Sequence, residues 1–61
     1  MTKVHFARLA KALLAYKHSE AIEGRPVSNE SYEALCDQVA LACGEANQRF
    51  DYTKFMVACG N

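Results

Sequence analysis

The spacing of apolar residues predicts an α-helix at the start of the chain. Apolar positions recur there every three or four residues, which places them on one face of a helix. Thr2 can cap its N-terminus. Its end has two alternatives: the helix stops near Ser19, or it continues to Glu23, with Gly24 as the left-handed stop and Pro26 beyond. The predicted core positions are Phe6, Leu9, Ala10, Leu13 and Tyr16.

A second helix is predicted after Pro26, which pushes the preceding residue out of the helical region. Ser28 is the expected N-cap, and Val27 and Tyr32 have the spacing of a hydrophobic staple across it. Leu41 falls off the apolar stripe of this helix, and we expect it to be half exposed. The stripe consists of Tyr32, Leu35, Cys36, Val39, Ala42, Cys43 and Ala46.

The last segment predicts a short third helix with both ends marked. Asp51 is a good N-cap, and Phe50 and Phe55 can close a staple over it. Gly60 can take the left-handed conformation that ends a helix, and Cys59 is expected to pack under the two rings. We call Phe50, Asp51, Phe55 and Cys59 the C-terminal cluster and expect it to be structural.

Together the patterns predict one all-α domain over residues 1–61. Two longer helices form an antiparallel hairpin, and the short C-terminal helix closes one end of it. No run of residues alternates as a strand would, and 51 % of the residues are hydrophobic, which is too many for a disordered chain.

Charge modifies this picture, because it is balanced overall but uneven along the chain. Seven basic residues offset seven acidic ones, which argues against binding of nucleic acid or membrane through net charge. Residues 1–19 nevertheless contain four basic side chains and no acidic one, whereas residues 20–45 contain six acidic side chains and one basic one. The two parts are expected to attract each other, within one fold or between subunits.

The three cysteines do not predict a disulfide framework, a metal site or a catalytic centre. Cys36 and Cys43 are two helical turns apart, too far for a bond to each other or for a chelating pair. Cys59 would have to fold back to join them. We expect free, buried thiols, no cofactor and no enzymatic activity. Free thiols suit the cytoplasm, and no apolar run is long enough for a membrane span.

Two surfaces are candidates for partner binding. A basic stripe on the first helix, formed by Arg8, Lys11 and His18, could contact nucleic acid weakly and in a salt-sensitive way. Apolar residues that exceed the needs of a three-helix core, among them Val4, Leu14 and Leu41, indicate a protein-binding surface or a homodimer.

The C-terminal segment also carries a resemblance. The pattern Asn47-x-Arg49-Phe50-Asp51-x-x-x-Phe55-x-x-Ala58-Cys59-Gly60 resembles the C-terminal signature of short, uncharacterised proteins from phages and prophages, which commonly begin with a Phe-bearing amphipathic helix, as this chain does around Phe6. The basic residue usual before Phe55 is present as Lys54. Gln48 stands where that pattern usually has Pro, and residues 17–34 are not covered.

The resemblance implies a helical fold and origin in a mobile element, but it transfers no activity. Small phage proteins often bind and disable host proteins, an analogy of lifestyle alone. We therefore expect a non-enzymatic interaction protein that binds a host or phage protein through helix surfaces and inhibits a host process. The alternative is a nucleic-acid-associated or transcription-modulating protein that uses the basic first helix.

Overall fold

A computed structural model describes residues 3–60, with the side chain of Lys3 left out. Three α-helices account for its regular structure: α1 at Lys3–Ile22, α2 at Asn29–Ala46 and α3 at Tyr52–Ala58. The all-α, three-helix prediction is confirmed, and the part of the chain from residue 3 to residue 60 contains no strand. The predicted cap at Thr2 lies outside the described residues.

The first helix ends as the longer of the two alternatives proposed. The amide of Glu23 still donates to the carbonyl of Ser19 at 3.1 Å, and that of Arg25 donates to the carbonyl of Glu20 at 2.8 Å. Gly24 then takes φ +79°, a conformation that costs glycine little and other residues more. The helix therefore passes Ser19 and reaches Ile22 before the chain turns.

The second and third helices start at side-chain caps. The hydroxyl oxygen of Ser28 accepts from the amide of Ser31 at 3.1 Å, and the carboxylate of Asp51 accepts from the amide of Lys54 at 3.0 Å. Each cap satisfies one of the amides that a helix start leaves without a partner. Gly60 has φ +87° directly after α3, so the chain leaves this helix through a left-handed glycine.

The two long helices are antiparallel, and α3 lies in the groove between them. The start of α1 meets the residue before α3, since the rings of Phe6 and Phe50 are 4.8 Å apart. Near the other end of α1, the ammonium group of Lys17 lies 4.7 Å from the ring centre of Tyr32, at the start of α2. The end of α3 reaches both helices, because Cys59 contacts Tyr32 of α2 and Gly60 lies beside Leu14 of α1. The sequence predicted that α3 closes one end of the hairpin; in the structure α3 also runs along the pair.

The core is narrower on α2 than the predicted stripe. The buried positions of α2 are Tyr32, Cys36, Ala40 and Cys43. Leu35, predicted as core, is 40 % exposed, and Ala42 and Ala46 are also exposed. Because α3 covers one side of α2, burial moves toward that side and includes Ala40, which the stripe omitted. On α1, Tyr16 was likewise predicted as core and is 46 % exposed.

Candidate functional site

An open apolar groove lies where α1 meets the start of α3. Its volume is about 610 Å³, and aromatic rings form its apolar wall: Phe6 from α1, Phe50 from the link before α3, and Phe55 from α3. The Phe50 ring stands between the other two, edge-on to Phe6 at 4.8 Å and tilted toward Phe55 at 5.3 Å. Such edge and tilted arrangements are favourable for aromatic pairs. The three rings therefore give the groove a well-packed apolar wall.

Small side chains explain why space remains there. Ala7 and Ala10 of α1 and Ala58 of α3 line the same groove. Alanine lets two helices approach but fills little volume, so the surface between α1 and α3 stays concave. The same packing that buries Phe6 and Phe55 therefore leaves a depression beside them.

The rim of the groove carries more positive than negative charge. Arg49 and Lys54 line it together with one carboxylate, that of Asp51. That carboxylate is already engaged as the N-cap of α3, whereas the side chains of Arg49 and Lys54 extend from exposed residues. The groove thus combines an aromatic wall with Arg49, residue types that are enriched at protein interfaces, and with a second cationic group, Lys54.

Four of the six predicted partner-binding residues follow one line along α1, on the side where Ala7 lines the groove. These residues are Val4, Lys11, Leu14 and His18. Together with Ala7 they follow one another at steps of three or four residues, so they share a helix face. Arg8 is exposed as well and lies further toward the outside of α1. Leu41 is 51 % exposed, as expected, but belongs to α2, on the far side of α3.

Leu14 is only partly exposed, although it was expected among the surplus apolar residues of the surface. This side chain is half-buried, because its Cδ1 packs at the end of α3: a Cβ placed on Gly60 would lie 3.1 Å from it. Val4 is exposed to 59 % and fits the expectation.

The opposite flank of α3 is acidic. Glu30, Glu33 and Asp37 of α2 line a shallow depression of about 450 Å³ together with Tyr52. The hydroxyl of Tyr52 donates to the carboxylate of Asp37, and this hydrogen bond is the main cause that raises the pKa of Tyr52 above its ordinary value of 10.0. The charge asymmetry of the sequence therefore becomes a basic and an acidic flank on either side of α3.

The three cysteines are buried and free. Burial raises the pKa of the Cys43 thiol. Burial, followed by a hydrogen bond with Cys36, raises the pKa of Cys59 to about 12. Both thiols are therefore held in their protonated form at neutral pH, which disfavours nucleophilic attack and metal ligation. Within residues 3–60, no three His, Cys, Asp or Glu side chains are grouped so that they could hold a metal ion.

Fold and groove together define a small all-α, three-helix domain with an aromatic-walled, basic-rimmed groove. No protein-family model, curated protein or solved structure matches the chain. Among the described residues no helix combines the length and the apolar character needed to cross a membrane.

Two features of this region were missed by sequence reasoning. Arg49 and Lys54 belong to the C-terminal pattern that carries the resemblance, but nothing in the sequence indicates that they flank Phe6, which is more than 40 residues earlier in the chain. The hydroxyl of Tyr32 donates to the carbonyl of Cys59 at 2.7 Å. The sequence indicated only the contact between Phe50 and Phe55, because these two residues are close together in the chain.

Proposed function

We propose that this chain is a non-enzymatic, phage-derived interaction protein that acts in the host cytoplasm. It binds a host or phage protein through the groove between α1 and α3, and binding to a host protein inhibits the process in which that protein works. The observation that carries the proposal is the combination of three aromatic rings with Arg49 and Lys54 around one open groove. Phage origin rests on the resemblance of the C-terminal segment, and the inhibitory outcome rests on the analogy with other small phage proteins.

The groove favours a partner segment with a large apolar side chain flanked by acidic residues. The apolar side chain would fill the depression beside Phe6 and Phe50, because removal of apolar surface from water drives such contacts. Carboxylates on either side would meet Arg49 and Lys54. Lys11, one helical turn from Ala7 on the same side of α1, extends the positive charge along the groove.

A charge reversal at Lys54 tests this proposal without harming the fold. Lys54 occupies the third position of α3, where its amide, not its ammonium group, bonds to Asp51. Glutamate suits this position, because it can complete a capping box and interacts well with a helix N-terminus. Arg25→Glu is the matched control: Arg25 is an exposed cation in the turn after α1, and its ion pair with Glu20 is at the surface and worth little.

The experiment captures proteins from host lysate with tagged wild-type chain, identifies the captured protein, and titrates it in purified form against each variant. We expect Lys54→Glu to weaken binding about tenfold, equal to ~1.4 kcal/mol, and Arg25→Glu to leave it unchanged. Ring resonances of Phe6 and Phe50 should shift on binding of the partner. Wild-type affinity in Lys54→Glu, or unshifted rings, would refute the groove as the site.

A second candidate function is association with nucleic acid, which is favoured by two exposed cations of α1: Arg8 on the outside of the helix and Lys11 on its groove side. The acidic flank formed by Glu30, Glu33 and Asp37 works against it, since it repels phosphates. The test is fluorescence anisotropy with a labelled DNA duplex at low salt. Binding that is abolished by the double variant Arg8→Glu, Lys11→Glu supports this candidate, and binding that is unchanged by it removes it.

A further inference from the structure

The side of the α1–α2 pair that faces away from α3 is apolar and uncovered. In an α-helix, residues on either side of a given position point about 100° away from it in opposite directions. Asp37 meets Tyr52 of α3, so Leu35, on the other side of Cys36, turns away from α3. On α1, Leu14 packs at Gly60, and Leu13 turns to the other side.

We call this surface the open face and define it by six residues: Leu9, Leu13, Tyr16, Leu35, Val39 and Ala42. Leu9, Leu13 and Val39 are half-buried and pack against the core from this side. Tyr16 and Leu35 are 46 % and 40 % exposed, which is high for residues that the sequence pattern assigns to the core. Burial of these side chains is therefore incomplete in a single chain.

Charge separates the open face from the rest of the molecule. In the middle of the open face, from Leu9 to Tyr16 on α1 and from Leu35 to Ala42 on α2, helical spacing brings up only Leu, Ala, Tyr, Val and Gln. Lys11 on α1 and Glu33 and Asp37 on α2 lie toward the flanks of α3 or outward. Two acidic residues lie at the rim of the open face: Glu20, one turn after Tyr16 on α1, and Glu45, two turns after Gln38 on α2. A protein partner recognised by charge would find no group to pair with at the centre of this face.

A surface that is apolar and uncharged at its centre suits a second copy of the same surface. In a two-fold dimer each residue of the interface meets the same patch on the other subunit, so a charged patch would repel itself and a neutral one does not. Two antiparallel helix pairs that pack face to face form a four-helix arrangement, a common solution for such faces. Tyrosine at the edge is also typical of interfaces, since its ring is apolar and its hydroxyl tolerates water.

The dimensions are sufficient for such an interface. Helices of 20 and 18 residues are about 30 Å and 27 Å long, and side by side they are roughly 20 Å wide. Two such faces together remove on the order of 1,000 Å² from water, the level that a biological interface must reach. A 61-residue domain also gains in stability from such burial, because on its own it buries only roughly 60 % of its unfolded surface.

We propose that two copies of this chain associate through the open face into a two-fold, four-helix dimer. The groove between α1 and α3 shares no residue with this face, so both grooves stay accessible in the dimer. This inference does not depend on the function proposed for the groove.

Leu35→Glu tests the dimer, with Leu41→Glu as a matched control. Both are leucines of α2 with similar exposure, 40 % and 51 %, but Leu41 lies outside the open face. Sedimentation velocity across the micromolar range should give twice the monomer mass of 6.8 kDa for the wild type and for Leu41→Glu. Leu35→Glu should sediment at the monomer mass while its circular dichroism stays helical.

A wild-type monomer at high micromolar concentration would overturn the proposal, and so would a Leu35→Glu variant that remains dimeric. If Leu35→Glu loses its helical signal, Tyr16→Lys on α1 decides the question, since this side chain is nearly half exposed and its loss leaves the core intact. A folded monomer of Tyr16→Lys supports the open face as the interface, whereas a dimer of unchanged affinity refutes it.

Discussion

The hydroxyl of Tyr32 gives a direct test of how α3 is held. It donates to the main-chain carbonyl of Cys59 at 2.7 Å, and both residues are 0 % exposed. Tyr32→Phe removes this hydroxyl and keeps the ring, so no large cavity forms. The carbonyl of Cys59 then stays buried without this donor, because water does not reach it. We expect a loss of about 1–3 kcal/mol in the free energy of unfolding, the usual cost of a buried polar group left unpaired.

This loss is large for a domain of 61 residues, whose total stability is on the order of 3–9 kcal/mol. Each kcal/mol lowers Tm by roughly 4–8 °C at this size. Thermal and urea unfolding, followed by circular dichroism, measure the change. Amide exchange locates it: the amides of Cys59 and Gly60, which donate to Phe55 and Val57, should exchange faster in Tyr32→Phe than those in the middle of α2.

Tyr52→Phe is the matched control, because it also removes a tyrosine hydroxyl that is hydrogen-bonded to α2. Tyr52 is 43 % exposed, so water can replace its hydroxyl at Asp37. We expect a change within about 0.5 kcal/mol. Equal stability of Tyr32→Phe and the wild type would refute the reasoning, since a buried, bonded hydroxyl cannot be removed without cost. Equal losses in both variants would also refute it, because burial would then make no difference.

Three further predictions concern the core. Phe55→Ala should lower the free energy of unfolding by about 3–5 kcal/mol, since this ring is buried between Phe50 and the core. Val57→Ala, on the exposed side of α3, is the control and should change it by no more than about 0.5 kcal/mol. A mild effect of Phe55→Ala in thermal melting would refute a structural role of this ring. The folded-state pKa of Cys59, about 12, lies above the ordinary thiol value of 9.0, so the contribution of this thiol to stability is complete below pH 9 and is lost between pH 9 and pH 12. Urea titrations at a series of pH values, with a phosphine reductant present, should show this decline in the free energy of unfolding. Cys59→Ala should make the decline less steep. The thiols should react with a thiol reagent only in denaturant, and rapid reaction of Cys43 or Cys59 in the folded protein would contradict their burial.

The starts and ends of the helices could be read from the sequence because they depend on neighbours. A serine before α2, an aspartate before α3 and glycines after α1 and α3 act on amides and carbonyls a few residues away. The same holds for the staple of Phe50 and Phe55, because Phe50 directly precedes the N-cap Asp51 and Phe55 lies in the first turn and a half of α3. These features predicted the number and type of elements without any knowledge of packing, and the structure confirms them.

The position of α3 could not be read in this way, and the candidate site follows from that position. The acceptor for Tyr32 is a main-chain carbonyl 27 residues later, and no residue type at position 59 indicates it. Phe6 joins Phe50 only because α3 lies in the groove of the hairpin. The apolar stripe of one helix does not indicate on which side a third helix packs. For this reason the sequence did not predict that Leu14 is half-buried and that Leu35 is exposed.

The bond between Tyr32 and Cys59 also has a consequence for how relatives of this chain could vary. Its acceptor belongs to the main chain, so alanine, serine or valine at position 59 would keep the acceptor, with only packing to adjust. At position 32 the choice is narrow, because no other residue combines a buried ring with a hydroxyl at that distance. Tyr32 is therefore a better marker than Cys59 for divergent sequences that keep this three-helix arrangement.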